Sequence, residues 1–173
     1  MESRTTDLAS ATDPGPGAGW ALRSATAADV EPIVELRAVV MRPDLERLGR
    51  YDEHRVRQRL RDAFRARDTS IITVGGAFAG CVALRPAECA PRPGEGAGEG
   101  GLWLEHFYLD PRHQGRGLGS AVLRTLLART DAQRVPVALN VLQGSAARRL
   151  YERHGFVMTA DDPVDVFMIR TPR

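Results

Sequence analysis

Gln114-Gly115-Arg116-Gly117-Leu118-Gly119 lies between an apolar run, Leu102 to Leu109, and an amphipathic run that begins near Gly117. Strand, glycine-rich turn and helix, in that order, form a physical arrangement for holding a phosphorylated ligand. The first N–H groups of a helix have no acceptors inside it, and they sit at the positive end of the helix dipole. Glycine lets the turn bend tightly and approach phosphate oxygens with no Cβ in the way. The spacing restricts the ligand. A dinucleotide fingerprint needs glycine at the first, third and sixth places, and here Ser120 holds the sixth. A P-loop needs a lysine, and all 24 residues of the Lys+Arg total are arginine. What remains is Gln-x-x-Gly-x-Gly.

Downstream, Leu118, Ala121, Val122, Leu126 and Leu127 share one helical stripe, which predicts a helix from about Gly117 to Arg129. Val135 to Val141 reads as another apolar strand. Ser145 then caps a short helix ending at His154, with Gly155 as its left-handed stop and Phe156 as the apolar contact behind it. Phe156 to Thr159 and Val164 to Ile169 make a hairpin around Asp161-Asp162-Pro163. Upstream, Ser70 to Val74 and Ala77 to Leu84 are strands joined by Gly75-Gly76, a two-residue hairpin signal. Between that hairpin and Leu102, Pro86 to Gly101 reads as a mobile Pro/Gly/Glu-rich loop. Thr26 caps a first helix, with Asp29 in its first turn, and Pro43 is expected to end it. Asp52 caps a second helix whose apolar positions are Val56, Leu60, Ala63 and Phe64. Trp20 to Arg23 is a short opening strand. Met1 to Gly19, poor in large apolar residues, is expected to be a disordered tail, which leaves 20–173 as one domain.

The totals exclude several classes. A chain of 173 residues with 43% hydrophobic and 27% charged content fits a soluble globular domain with a sizeable core. A net charge of +2, with arginines spread along the chain, gives no case for nucleic acid. Cys81 and Cys89 have no CxxC partner, and His54, His106, His113 and His154 are scattered, so no metal site is expected. No run approaches membrane-spanning length and the N-terminus lacks the apolar core of a signal peptide, so the expectation is no membrane and a cytoplasmic protein. Cys81 falls in an apolar strand away from the glycine loop, which argues against a covalent acyl-cysteine.

The Gln114–Gly119 pattern resembles the acetyl-CoA loop of the GNAT superfamily of N-acetyltransferases. "WLEHFYLDPRHQGRGLGSAVL" is similar to that family's acetyl-CoA motif and "LYERHGF" to its following motif, with one strand between them. The resemblance runs from about Ala21 to the end. It implies an α/β fold with a central mixed sheet, in which two parallel strands splay apart between flanking helices. By that resemblance acetyl-CoA is the co-substrate. Gln114, Gly115, Arg116, Gly117, Leu118, Gly119 and Ser120 would hold its pyrophosphate, and Arg112 or Arg116 its 3′-phosphate. The backbone of Phe107, Tyr108 and Leu109 would hold the pantetheine arm and polarise the thioester oxygen. An asparagine common in relatives just after the second strand is replaced by Gly144 and Ser145. Ser145, and Asn140 on that strand, are therefore candidate contacts.

Two side chains carry the chemistry in this reading. Glu105 and His106 are the ionisable groups of an otherwise apolar strand. Burial raises a carboxyl pKa toward the range of a general base, and several family members place a base glutamate here. His106 points away from Glu105 if the strand is regular, unless a bulge changes the parity. Tyr151 matches the family's tyrosine that protonates the departing thiolate. A salt bridge from Glu105 to a helix arginine, a structural bond from it to loop backbone, and a core role for Tyr151 are the competing structural readings. Direct attack by a small-molecule or peptide amine in a ternary complex is the expected reaction, in a monomer or homodimer. The arginines of the N-terminal helices would suit an acceptor with an acidic group, and Met41, Arg47 and Tyr51 are candidate lining residues. The alternative is a non-catalytic acyl-CoA-binding sensor.

Overall fold

The computed structural model describes residues 13–14, 19–90 and 97–173. The strands are β1 (Asp13–Pro14), β2 (Trp20–Ser24), β3 (Thr69–Val74), β4 (Ala77–Pro86), β5 (Leu102–Leu109), β6 (Val137–Leu142), β7 (Val157–Asp161) and β8 (Asp165–Arg170). The helices are α1 (Val30–Arg47), α2 (Glu53–Ala63), α3 (Leu118–Ala132) and α4 (Ala147–Arg153). One mixed sheet runs β1-β2-β3-β4-β5-β6-β8-β7. Every neighbouring pair is antiparallel except β5 and β6. A parallel pair needs a crossover, and α3 supplies it.

Core packing follows from strand alternation. On one face Leu104, Leu139 and Val141 pack with Val122, Leu123, Leu126 and Leu127 of α3 and Tyr151 of α4. On the other face Ile71, Cys81 and Tyr108 pack with Ile33, Val34 and Leu36 of α1 and Leu60 of α2. Arg170 closes the far end of α3 through a two-pronged pair with Asp131 at 2.6 and 2.8 Å.

The caps at Thr26 and Asp52 form as expected. The Asp29 carboxylate accepts the Thr26 N–H at 2.7 Å, and Asp52 accepts the Arg55 N–H at 2.7 Å. Pro43 does not end α1, which continues to Arg47. A proline there removes one bond, to the carbonyl of Val39 four residues back. Val39 is 56% exposed, so the lost bond falls on the solvent-facing side of α1, and the helix continues. The actual stop is Gly49, in the left-handed region at φ +66, after which Arg50 N–H donates to Leu45 O.

The tail expected to be disordered falls mostly on residues outside those described. Within it, Asp13 and Pro14 pair with Leu22 and Ala21 at the sheet edge. The centre of the Pro86 to Gly101 loop, 91–96, also lies outside the described residues. Among the described residues, no helix is long and apolar enough to cross a membrane, and no group of His, Cys, Asp or Glu is placed to hold a metal ion.

Candidate active site

Strands β5 and β6 pair only at Leu102↔Val137 and Trp103↔Ala138. β5 then runs on to Leu109 and β6 to Leu142, each without the other. A slot therefore opens in mid-sheet, and its walls are strand edges with unpaired backbone groups. Phe107, Tyr108 and Leu109 lie on one wall, and Asn140 on the other.

The glycine loop stands at the mouth of this slot. Gly117 caps α3 at φ +82, and Gly115 is also left-handed at φ +71. A Cβ on Gly119 would stand 3.4 Å from Leu109 and 3.5 Å from Leu150 of α4, so the start of α3 sits between the end of β5 and α4. Among the described residues, no protein acceptor takes the backbone N–H groups of Gly115 to Ser120. These donors have no partner and point out from a helix start, which is the condition for anion binding.

The side chains of this loop divide in function. Gln114 Nε2 donates to Leu109 O at 2.9 Å, so it fastens the loop to β5. Arg112 is committed to Asp110 at 2.8 and 3.0 Å, and that guanidinium holds the Asp110 carboxyl down at about 2. Arg116 is exposed and makes no ion pair among the described residues, which makes it the available cation for a further phosphate. Leu118 packs partly into the core below.

At the middle of β5 the strand is not regular. From Ala83↔Glu105 to Cys81↔Tyr108, β5 uses one more residue than β4, and His106 takes φ +49. This bulge cancels the alternation, so the imidazole turns to the same side as Glu105 and its Nε2 stands 3.3 Å from Glu105 Oε1. The strand is therefore the bulged case, in which the two side chains share a face. Arg85 reaches the same Oε1 at 2.6 Å, because the register places it on β4 opposite Trp103, two positions from Glu105.

The side chains of Glu105, Arg85 and His106 are 15%, 16% and 17% exposed. Burial pushes the Glu105 carboxyl up, but His106 and Arg85 together outweigh it and hold the carboxyl below its ordinary value. The expectation of a raised pKa is corrected by these two neighbours. The salt-bridge reading is realised as well, with a strand arginine as the partner.

Tyr151 lies on the α3 side of the sheet, 6% exposed, with its ring edge-on to Phe156 at 5.6 Å. Burial, and then Tyr108, push its hydroxyl above the ordinary tyrosine value, so it keeps its proton. Glu105 and Tyr151 therefore belong to opposite faces and can meet only through the slot. Asn140 donates to Asp165 at 2.8 Å, and Ser145 Oγ accepts the Ala147 N–H at 3.3 Å, so both are held by the protein itself. Cys81 is fully buried, its thiol donates to His106 O at 3.1 Å, and burial pushes it up to about 12. A thiol so placed is no nucleophile.

Three arginines of the N-terminal helices are already paired with glutamates. Arg57 pairs with Glu35 at 2.9 Å, Arg61 with Glu31 at 2.9 Å, and Arg42 with Glu46 at 2.7 Å. Arg42 also lies over the Tyr51 ring at 4.9 Å. Arg47 donates to Gln143 O at 2.5 Å, joining the end of α1 to the loop after β6. Arg85 is the contributor that sequence reading missed at the site, and only the pairing register of β4 on β5 reveals it.

The acetyltransferase (GNAT) family model matches residues 30–156. A spermine/spermidine N(1)-acetyltransferase of Bacillus subtilis is 35% identical over 60 residues. That match spans 33% of this chain and 40% of the Bacillus protein. The PaiA N-acetyltransferase of Thermoplasma acidophilum, solved in complex with coenzyme A, aligns with a TM-score of 0.67 at 15% identity, over 88% of this chain and 98% of that one. Ard1 of Thermoplasma volcanium aligns at 0.63 and 20% identity, over 90% of this chain and 99% of that one. At these identities the structural likeness establishes the fold.

Proposed function

This chain belongs to the acetyltransferase (GNAT) family, and on that premise we propose that it moves the acetyl group of acetyl-CoA to a primary amine by direct attack. The observation that carries the reading is the slot between β5 and β6, with a loop of unpaired N–H groups at its mouth. Its open strand edges fit a pantetheine arm, and the donors of Gly115 to Ser120 fit a diphosphate. Arg116 fits a further phosphate. When bound, acetyl-CoA supplies an activated acetyl thioester.

The chain's own groups do the rest. Backbone N–H groups of the bulged β5 segment, Phe107 to Leu109, stabilise negative charge as it builds on the carbonyl oxygen. Glu105, ionised beside Arg85 and His106, receives the acceptor amine and takes the proton that its nitrogen releases as the C–N bond forms, directly or through water. Tyr151 keeps a proton at Oη for the departing thiolate. Tyr151→Phe is expected to slow turnover about tenfold while acetyl-CoA affinity stays within about twofold. Stopped-flow turnover set against calorimetry checks this, and unchanged turnover removes Tyr151 from the role.

The name of the Bacillus relative makes spermidine the first acceptor to try. The paired arginines of α1 and α2 give no reason to prefer an acidic acceptor. Acetyl-CoA-dependent CoA release should rise well above background hydrolysis with spermidine or another primary amine. The Arg85–Glu105 ion pair is the one observation that favours a non-catalytic acyl-CoA sensor. Tight acetyl-CoA binding with no amine raising CoA release would establish that reading instead.

A further inference from the structure

A chain of buried polar contacts leads away from Glu105, and its donors and acceptors can be counted. Arg37 of α1 is 9% exposed. Its Nε donates to Tyr108 Oη at 3.0 Å, and its Nη1 donates to Val56 O of α2. Arginine only donates, so it fixes the Tyr108 hydroxyl oxygen as an acceptor. The hydroxyl proton must then go elsewhere. The next polar atom is His106 Nδ1, 3.1 Å from Tyr108 Oη. An Nδ1 that accepts leaves the proton of a neutral imidazole on Nε2. That buried Nε2 has no acceptor at good hydrogen-bond geometry, and Glu105 Oε1 stands 3.3 Å away. Histidine holds this place through a left-handed bulge at φ +49, which costs a non-glycine residue energy that local structure must offset.

We propose that Arg37 and Tyr108 lock His106 as the Nε2–H tautomer, making His106 a positioning residue that aims Glu105. With Nε2 3.3 Å and the Arg85 guanidinium 2.6 Å from Oε1, the partial positive charge of the N–H and the full charge of the guanidinium hold that oxygen and leave Oε2 to meet the acceptor's proton. This role rests on the acetyltransferase reading above. The lock itself is a property of the protein alone. In the opposite tautomer an Nε2 lone pair would face a carboxylate oxygen and push Glu105 away. The other polar or charged groups around the imidazole are Cys81, whose thiol donates to the His106 carbonyl, and Arg65, Asp68 and Thr69, which line the small cavity beside it.

The decisive measurement is made on the wild-type full chain without substrate. Proton–nitrogen correlation spectra of 15N-histidine protein report the tautomer of each imidazole. His106→Asn assigns the signal, since asparagine tolerates positive φ. The expected result at neutral pH is a protonated Nε2 and a hydrogen-bonded, unprotonated Nδ1. A protonated Nδ1, or an exchanging mixture, overturns the lock. Tyr108→Phe then tests the positioning. It should convert the His106 signal to a mixture and lower kcat about tenfold, with KM for acetyl-CoA unchanged. A converted tautomer with undiminished kcat overturns the positioning role. A locked wild-type imidazole in a protein that acetylates no amine refutes the acetyltransferase reading and not the tautomer.

Discussion

Gly117→Val is expected to weaken acetyl-CoA binding about a hundredfold while leaving the protein folded. Gly117 caps α3 at φ +82, where a β-branched residue is strongly disfavoured. Nothing lies within 4 Å of the place where a Cβ would stand, so the cost is backbone conformation and not collision. The turn is exposed and can relax toward negative φ at the expense of about 1–3 kcal/mol of strain. Relaxation swings the N–H groups of residues 117–119 away from their common focus. Losing one charge-assisted bond, worth about 1.5–3 kcal/mol, accounts for the hundredfold. Calorimetry with acetyl-CoA or CoA reads the affinity, and thermal melting shows that the fold persists. Wild-type affinity in a folded Gly117→Val protein would refute the phosphate cradle.

The parts of this molecule governed by near neighbours in the chain were legible in its sequence. The loop, the strand ahead of it and the helix behind it follow from the spacing of glycine and apolar residues between 102 and 129. Gly75-Gly76 placed its hairpin correctly, as did the Asp52 cap its helix. The site resisted where distant residues decide. Arg85 reaches Glu105 only through the register of β4 on β5, and Arg37 reaches Tyr108 from 71 residues earlier. No periodicity reports either contact. The bulge at His106 also had little local signal, since histidine, though it tolerates positive φ, sits here among strand-forming neighbours with no glycine beside it. Its effect is large, because one extra residue reverses which side chains share a face. Pro43 misled for the opposite reason. The local rule was sound, but the missing bond falls on the solvent-facing side of α1 and was cheap to lose.

Glu105→Gln is expected to lower kcat/KM for the amine about a hundredfold, by an equal factor across the neutral range. The flat pH dependence follows from the sign of the shift. His106 and Arg85 hold the Glu105 carboxyl below its ordinary value of 4.5 in spite of its burial. It is therefore already ionised at neutral pH, and the wild-type rate rises with pH as the acceptor amine loses its own proton. Removing the carboxylate lowers that curve without changing its shape. A raised pKa would have produced a loss concentrated on the acid side. Stability obeys the same linkage. A depressed carboxyl contributes stability that is present above the unfolded-state value and is lost as pH falls through the lower folded value. Glu105→Gln removes this contribution at every pH and leaves a largely buried Arg85 without its partner, which costs about 1–3 kcal/mol. Melting curves and single-turnover rates on the same folded sample separate the two effects. A rate that falls only as far as the folded fraction does would assign Glu105 to structure, whereas a hundredfold loss in fully folded protein would assign it to proton transfer.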